Sequence, residues 1–163
     1  MDKSAIVKLI AGLAMIAVAG VLTFRTWRSN SAGTDRAFFY DLSEQELFTG
    51  PRTAVPPIKG LNDAQEDAVR AVVVSTTGNP ADKASWKIAY LETYSPELKQ
   101  QIQAAQASGT SPAMGGRKSQ AHRFVRRVAD TQWVPLSSPE AERIVNEWLT
   151  AGPGGAPAVV CTP

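Results

Sequence analysis

Hydrophobic and polar positions divide the chain into two unequal parts. From Ala5 to Phe24 the sequence AIVKLIAGLAMIAVAGVLTF is apolar almost throughout and has no polar face. After Arg36 the apolar positions come in short runs and alternations, broken by Gly, Pro, Ser and Asn. About 20 helical residues at about 1.5 Å each cover the roughly 30 Å hydrocarbon core of a bilayer. The pattern therefore predicts a transmembrane helix over 5–24. Its one charge, Lys8, lies near the start, where the methylenes stay in lipid and the ammonium reaches the headgroups. Arg25, Trp27 and Arg28 follow as interfacial anchors. A buried core helix fits poorly, because such a segment would still need one side to show to water.

A cleavable signal peptide is the rival reading. Lys3 and Lys8 supply a basic start, Leu9 to Ile16 an apolar centre, and Ala17-Val18-Ala19 a small-x-small cleavage pattern. The apolar run continues through Gly20, Val21, Leu22 and Phe24, which favours a retained anchor. On the N-terminal side Lys3, Lys8 and the α-amino group nearly balance Arg25, Arg28 and Arg36 on the other. The short tail with two lysines favours a cytoplasmic N-terminus, hence a single-pass cell-membrane protein with an extracytoplasmic (periplasmic) C-terminal domain.

Residues 25–36 read as a juxtamembrane linker, and 37–150 as a small soluble domain. Ala37–Leu42 (AFFYDL) and Glu46–Thr49 (ELFT) predict a β-hairpin across Ser43-Glu44-Gln45. Its aromatic residues Phe38, Phe39, Tyr40 and Phe48 are expected in the core, and any left exposed would mark a partner surface. Gly50–Gly60 holds three prolines and reads as an extended connection. Ala64–Val69 has the pattern of a helical turn, and the β-branched run Val69–Thr76 predicts a strand that stops at Thr77-Gly78-Asn79-Pro80. Trp86–Tyr94 is compatible with a strand or a short helix.

Ser95-Pro96-Glu97 opens a helix to about Ala107: an N-cap, a proline in the first turn and an acid near the positive end of the dipole. Residues 108–120 (SGTSPAMGGRKSQ from Ser108) lack bulky apolar side chains and read as a mobile loop. Arg123–Val128 predicts a strand. Ser138-Pro139-Glu140 caps a second helix, with Ile144, Val145, Trp148 and Leu149 on one face. Residues 151–163 read as a disordered C-terminal tail. The order of elements predicts an α+β fold: a transmembrane helix, then a domain with a hairpin, further strands and two helices.

Charge changes this picture little. Of the 17 basic residues two precede Phe24, and of the 15 acidic residues one does, leaving 15 and 14 in the soluble part. So near a balance gives no reason to expect nucleic acid. Cys161 is the single cysteine, so no internal disulfide is possible, and an exposed thiol in a frayed tail is the expectation.

Candidate chemistry is thin. Gly109–Ser119 suggests a phosphate loop, but Arg117 stands before Lys118-Ser119 where the pattern needs glycine. His122 is the single histidine, which leaves His-Cys zinc sites without ligands. No GxSxG elbow accompanies it for nucleophilic catalysis. Paired acids such as Glu44 with Glu46, or Glu66 with Asp67, read as solvated surface rather than an acid–base dyad. No catalytic, cofactor or metal residues are therefore assigned. One local anomaly remains, five cations without an acid: Arg117, Lys118, Arg123, Arg126 and Arg127. A basic strand edge that resists edge-to-edge pairing accounts for them, and contact with anionic headgroups or an acidic partner is the functional alternative.

A series of short motifs runs through the soluble part. It comprises Phe39-Tyr40-Asp41-Leu42 with Glu46-Leu47-Phe48, Val55-Pro56-Pro57-Ile58, Val69-Arg70-Ala71, and Tyr90 through Glu97. Val128 through Trp133-Val134-Pro135, Ser138-Pro139-Glu140 and the closing Cys161-Thr162-Pro163 complete it. In this order they resemble a group of uncharacterised bacterial proteins with an N-terminal single transmembrane span and a small exported domain. The hairpin loop of that group looks like Asn-Thr-Gly, where this chain has Ser43-Glu44-Gln45; its cysteine-bearing loop is here Ser75-Thr76-Thr77-Gly78. The resemblance implies topology and attaches no activity. The expectation is a non-enzymatic, membrane-tethered interaction or scaffold protein, held in the bilayer by 5–24 and meeting another membrane or exported protein. An accessory single-span subunit of a larger membrane complex is one alternative, and a small enzyme using His122 and the 108–120 loop another.

Overall fold

Alternation of apolar and polar side chains builds the centre of the molecule. In the computed structural model, which describes residues 35–62, 65–149 and 157–163, these alternating runs pair as one antiparallel sheet. The predicted span 5–24, the predicted anchors Lys8, Arg25, Trp27 and Arg28, and residues 25–34 of the predicted linker 25–36 lie outside the described residues, while Arg36 belongs to the first strand. Among the described residues no helix is long and apolar enough to cross a membrane.

The strands are β1 (Arg36–Asp41), β2 (Glu46–Pro51), β3 (Ala68–Ser75), β4 (Trp86–Tyr94), β5 (Arg123–Arg126), β6 (Val134–Pro135) and β7 (Val159–Val160). Their order is β2-β1-β3-β4-β5-β6, with β7 also on β3. The predicted hairpin is present: Phe39 lies opposite Phe48 and Asp41 opposite Glu46. Gln45, at φ 55, turns the loop without an Asn-Gly pair. β4 occupies one side of β3 from Arg70 to Ser75. On the other side, β1 pairs with Ala68–Arg70 and β7 with Val74–Ser75.

Three helices flank the sheet among the described residues: α1 (Pro96–Ser108), α2 (Gly116–Ala121) and α3 (Pro139–Asn146). Ser95 caps α1 by accepting the Leu98 N–H, and Gly109, left-handed at φ 66, ends it. Ser138 caps α3 by accepting the Ala141 N–H. Each cap satisfies a backbone donor that has no partner within its helix.

The side-chain period of two sends the core to both faces. Phe38, Val69, Ala71, Val73, Leu91 and Cys161 form one cluster, bordered by Tyr40, Trp86 and Trp133. Val125, on the opposite face from Leu91, packs beneath Ala141 and Ile144 of α3. Among the hairpin aromatics, Phe38 and Phe39 are buried, while Tyr40 and Phe48 are half-buried. The Phe39 ring lies where a Cβ on Gly50 would come within 3.1 Å, so glycine there lets the ring close over β2.

Several expectations are corrected. α2 occupies part of the 108–120 segment predicted as a loop. β3 starts at Ala68, inside the 64–69 stretch expected as a helical turn, whereas Trp86–Tyr94 takes the strand form, one of the two its sequence allows. The second helix stops at Asn146 and a 3-10 turn follows, which leaves Leu149 56% exposed rather than on the buried face. Residues 157–163 are not a frayed end. The Cys161 N–H donates to the Val73 carbonyl at 2.8 Å, and its side chain, 4% exposed, sits in the core. A two-residue strand has no sequence signature of its own; the unpaired edge of β3 recruits it.

Candidate functional site

The basic segment is the first candidate, and the fold disperses it. Arg123, on β5, faces Glu92 on β4; its Nε and Nη2 donate to Glu92 Oε1 at 2.8 and 2.5 Å. Glu92 is only 7% exposed, so the guanidinium neutralises a buried carboxylate. The Arg123 guanidinium also lies 5.8 Å from the Tyr94 ring centroid. Burial and the Glu92 charge push the Tyr90 and Tyr94 hydroxyls above their ordinary pKa. Arg126 stacks 4.8 Å from the Trp133 ring centroid and donates to the Asp130 carbonyl. Arg127 bridges Asp130 at 3.2 Å, Glu147 at 2.6 Å and Glu140 at 3.8 Å. Arg117 and Lys118 stand exposed on α2. Of the five cations, three are thus tied to acids or rings that hold β4, β5 and α3 together. The acids absent from the local sequence arrive from other elements.

His122 closes α2 and gathers two polar groups from the start of α1. Its Nδ1 lies 2.9 Å from Ser95 Oγ and 3.1 Å from Glu97 Oε2. Serine, histidine and carboxylate are the members of a hydrolytic triad, but here both partners meet the same ring nitrogen. A triad needs the acid on one nitrogen and the nucleophile on the other, so that the base is oriented while it takes the proton. Ser95 Oγ is also occupied as the acceptor of the Leu98 N–H, and the Ser95 N–H donates to the His122 carbonyl at 2.8 Å. The arrangement locks the start of α1 to the turn before β5.

Asp41 organises the opposite end of the hairpin. Its Oδ1 accepts from the Ser43 and Glu44 backbone N–H groups, both at 3.0 Å, and from Ser43 Oγ at 2.8 Å; Oδ2 accepts from the Leu61 N–H at 2.7 Å. The Glu44 and Leu61 amides lead in holding the carboxyl below the usual aspartate range, against the opposing effect of burial. A Cβ on Gly60 would overlap Asp41 Oδ2, so the loop passes closely enough to bond only as glycine. A cavity of about 200 Å³ opens there beside Glu44, Asn62 and Asp67. A second, wider cleft of about 510 Å³ lies between the β5–β6 loop, β6 and α3, bordered by Arg127, Asp130, Gln132, Val134, Glu140 and Ile144. Its charged rim is the same ion-pair network that fixes α3. Among the described residues no group of three or more His, Cys, Asp or Glu side chains is arranged to hold a metal ion.

These contacts define an α+β domain whose conspicuous polar groups cap helices, close loops and tie strands. No protein-family model, no curated protein and no solved structure matches the chain.

The strand register also gathers residues far apart in sequence. Arg36 pairs with Pro51, the Arg52 N–H donates to the Asp35 carbonyl, and Trp86 and Lys87 lie opposite Ser75 and Val74. One end of the sheet, where β1 begins, therefore carries Arg36, Arg52, Lys83 and Lys87. These positions are scattered through the sequence and form no run, so no linear motif announces them.

Proposed function

We propose that the chain is a membrane-tethered interaction module, anchored by 5–24 and displaying a small α+β body on the extracytoplasmic side. The observation that carries this reading is the nearness of the apolar run to the first strand. Eleven residues, 25–35, separate Phe24 from Arg36. Fully extended, such a connection spans about 40 Å, so a body anchored this way works within one protein diameter of the bilayer. The way Ser95, Glu97 and His122 bind one another supports a role in helix capping and favours interaction over catalysis. The partner fitting this placement is another membrane or exported protein.

Alkaline carbonate treatment of membranes from cells making the full chain tests the tether: the protein stays in the pellet if 5–24 is a span. Appearance in the supernatant, or a mature N-terminus at Gly20, overturns it. Purification in mild detergent then identifies what the body holds.

A further inference from the structure

We infer that the linker-proximal end of the sheet is a contact surface for anionic lipid headgroups, formed by Arg52, Lys83, Lys87 and the exposed Val159 and Val160. The inference rests on the tether reading and adds which end of the body meets the bilayer. Strand register brings these residues together: β1 starts and β2 ends here, β3 runs out into the 76–82 turn, β4 begins, and β7 lies alongside Val74–Ser75.

All three cations are exposed, and Val159 and Val160 are 37% and 47% exposed. The Lys83 ammonium lies 5.7 Å from the ring centroid of half-buried Trp86, whose Nε1 donates to the Pro80 carbonyl. Arg36 stands at the same end, with its guanidinium on the Thr49 carbonyl and hydroxyl. The acids here are Asp35, Asp82, which accepts the Thr77 hydroxyl, and, in the β5–β6 loop, Asp130, which is paired with Arg127. The far end has the opposite sign. Asp41, Glu44, Glu46, Glu66, Asp67, Glu92 and Glu97 gather there against Lys59, Lys99, Arg117, Lys118 and Arg123, which leaves that end net acidic by two charges.

A body carrying charge polarised in this way turns its basic end toward an anionic surface and its acidic end away. The short connection enters at the basic end, so the anchor and the field favour the same orientation. Exposed valines beside lysines suit the boundary between headgroups and acyl chains. The 117–127 segment serves this purpose poorly: Arg123 and Arg127 already hold acids, Arg126 holds the Asp130 carbonyl, and α2 carries Arg117 and Lys118 at the far end.

The test uses the full chain in nanodiscs of phosphatidylcholine alone, and of phosphatidylcholine mixed with phosphatidylglycerol. Amide hydrogen exchange is read in residues 76–87 and compared with the hairpin loop, residues 42–45. Anionic lipid should slow exchange in 76–87 by about fivefold, equivalent to about 1 kcal/mol, and leave 42–45 unchanged. Added salt should erase the difference. The triple variant Arg52→Gln, Lys83→Gln, Lys87→Gln should lose it too, while β3 amides from Val69 to Val73 keep wild-type protection and report an intact fold. A chain that does not remain with the disc overturns the tether reading and this inference with it. A chain that remains but exchanges identically in both lipids, or gains protection in 42–45 instead, overturns this inference alone.

Discussion

The Asp41 carboxylate accepts four hydrogen bonds from two loops. One carboxylate replaces the missing Asn-Gly turn signal by receiving the Ser43 and Glu44 amides, and it pins a second loop through Leu61. Replacing it by Asn supplies one acceptor oxygen and turns an N–H₂ group toward a donor. Asp41→Asn should therefore lose about 2–3 kcal/mol of stability at neutral pH, measured by urea unfolding. The sign of the pH effect follows from the lowered pKa. The bonded carboxylate stabilises the fold fully above the unfolded aspartate value of about 3.9, and that contribution is lost as pH falls through the lower folded value. The gap between wild type and variant should then shrink in that acidic window, and a constant gap would disprove the assignment. The sequence shows an aspartate at the end of a strand; nothing in it shows that Gly60 and Leu61 arrive beside it.

Helix starts, by contrast, are legible locally, because the cap and the donors it satisfies lie within four residues. Ser95-Pro96-Glu97 and Ser138-Pro139-Glu140 each predict a helix, and each serine accepts the expected N–H. Ser138→Ala should cost about 1 kcal/mol and lower the melting temperature without altering the sheet. Strand pairs are different, since their partners are remote. The basic segment from Arg117 to Arg127 looks unbalanced in sequence, yet Glu92, Glu140 and Glu147 neutralise part of it through β4, α3 and the turn that follows α3. Arg123→Ala strands Glu92 in the interior and should destabilise by about 3 kcal/mol in thermal or urea melts. Arg117→Ala, on an exposed face of α2, should change stability by less than about 0.5 kcal/mol. Equal effects from the two variants would contradict the ion-pair account.

At the scale of the whole molecule, the C-terminal residues close the sheet on the free part of β3. Burial pushes the Cys161 thiol above its ordinary pKa and removes it from solvent. A thiol reagent at mildly alkaline pH should therefore label the native protein slowly and react quickly only under denaturing conditions. Labelling at the rate of a free thiol in the native state would return Cys161 to a frayed tail. Alternation and caps determined by themselves the α+β class, the hairpin, the strand through Val69–Ser75 and the two longer helices, because each is stabilised by residues near it in sequence. The tertiary structure alone decided that β6 and β7 exist, that α2 interrupts the 108–120 segment, and that Cys161 is core. It alone decided which cations are neutralised. Two-residue strands and buried ion pairs draw their free energy from neighbours that only folding brings within reach.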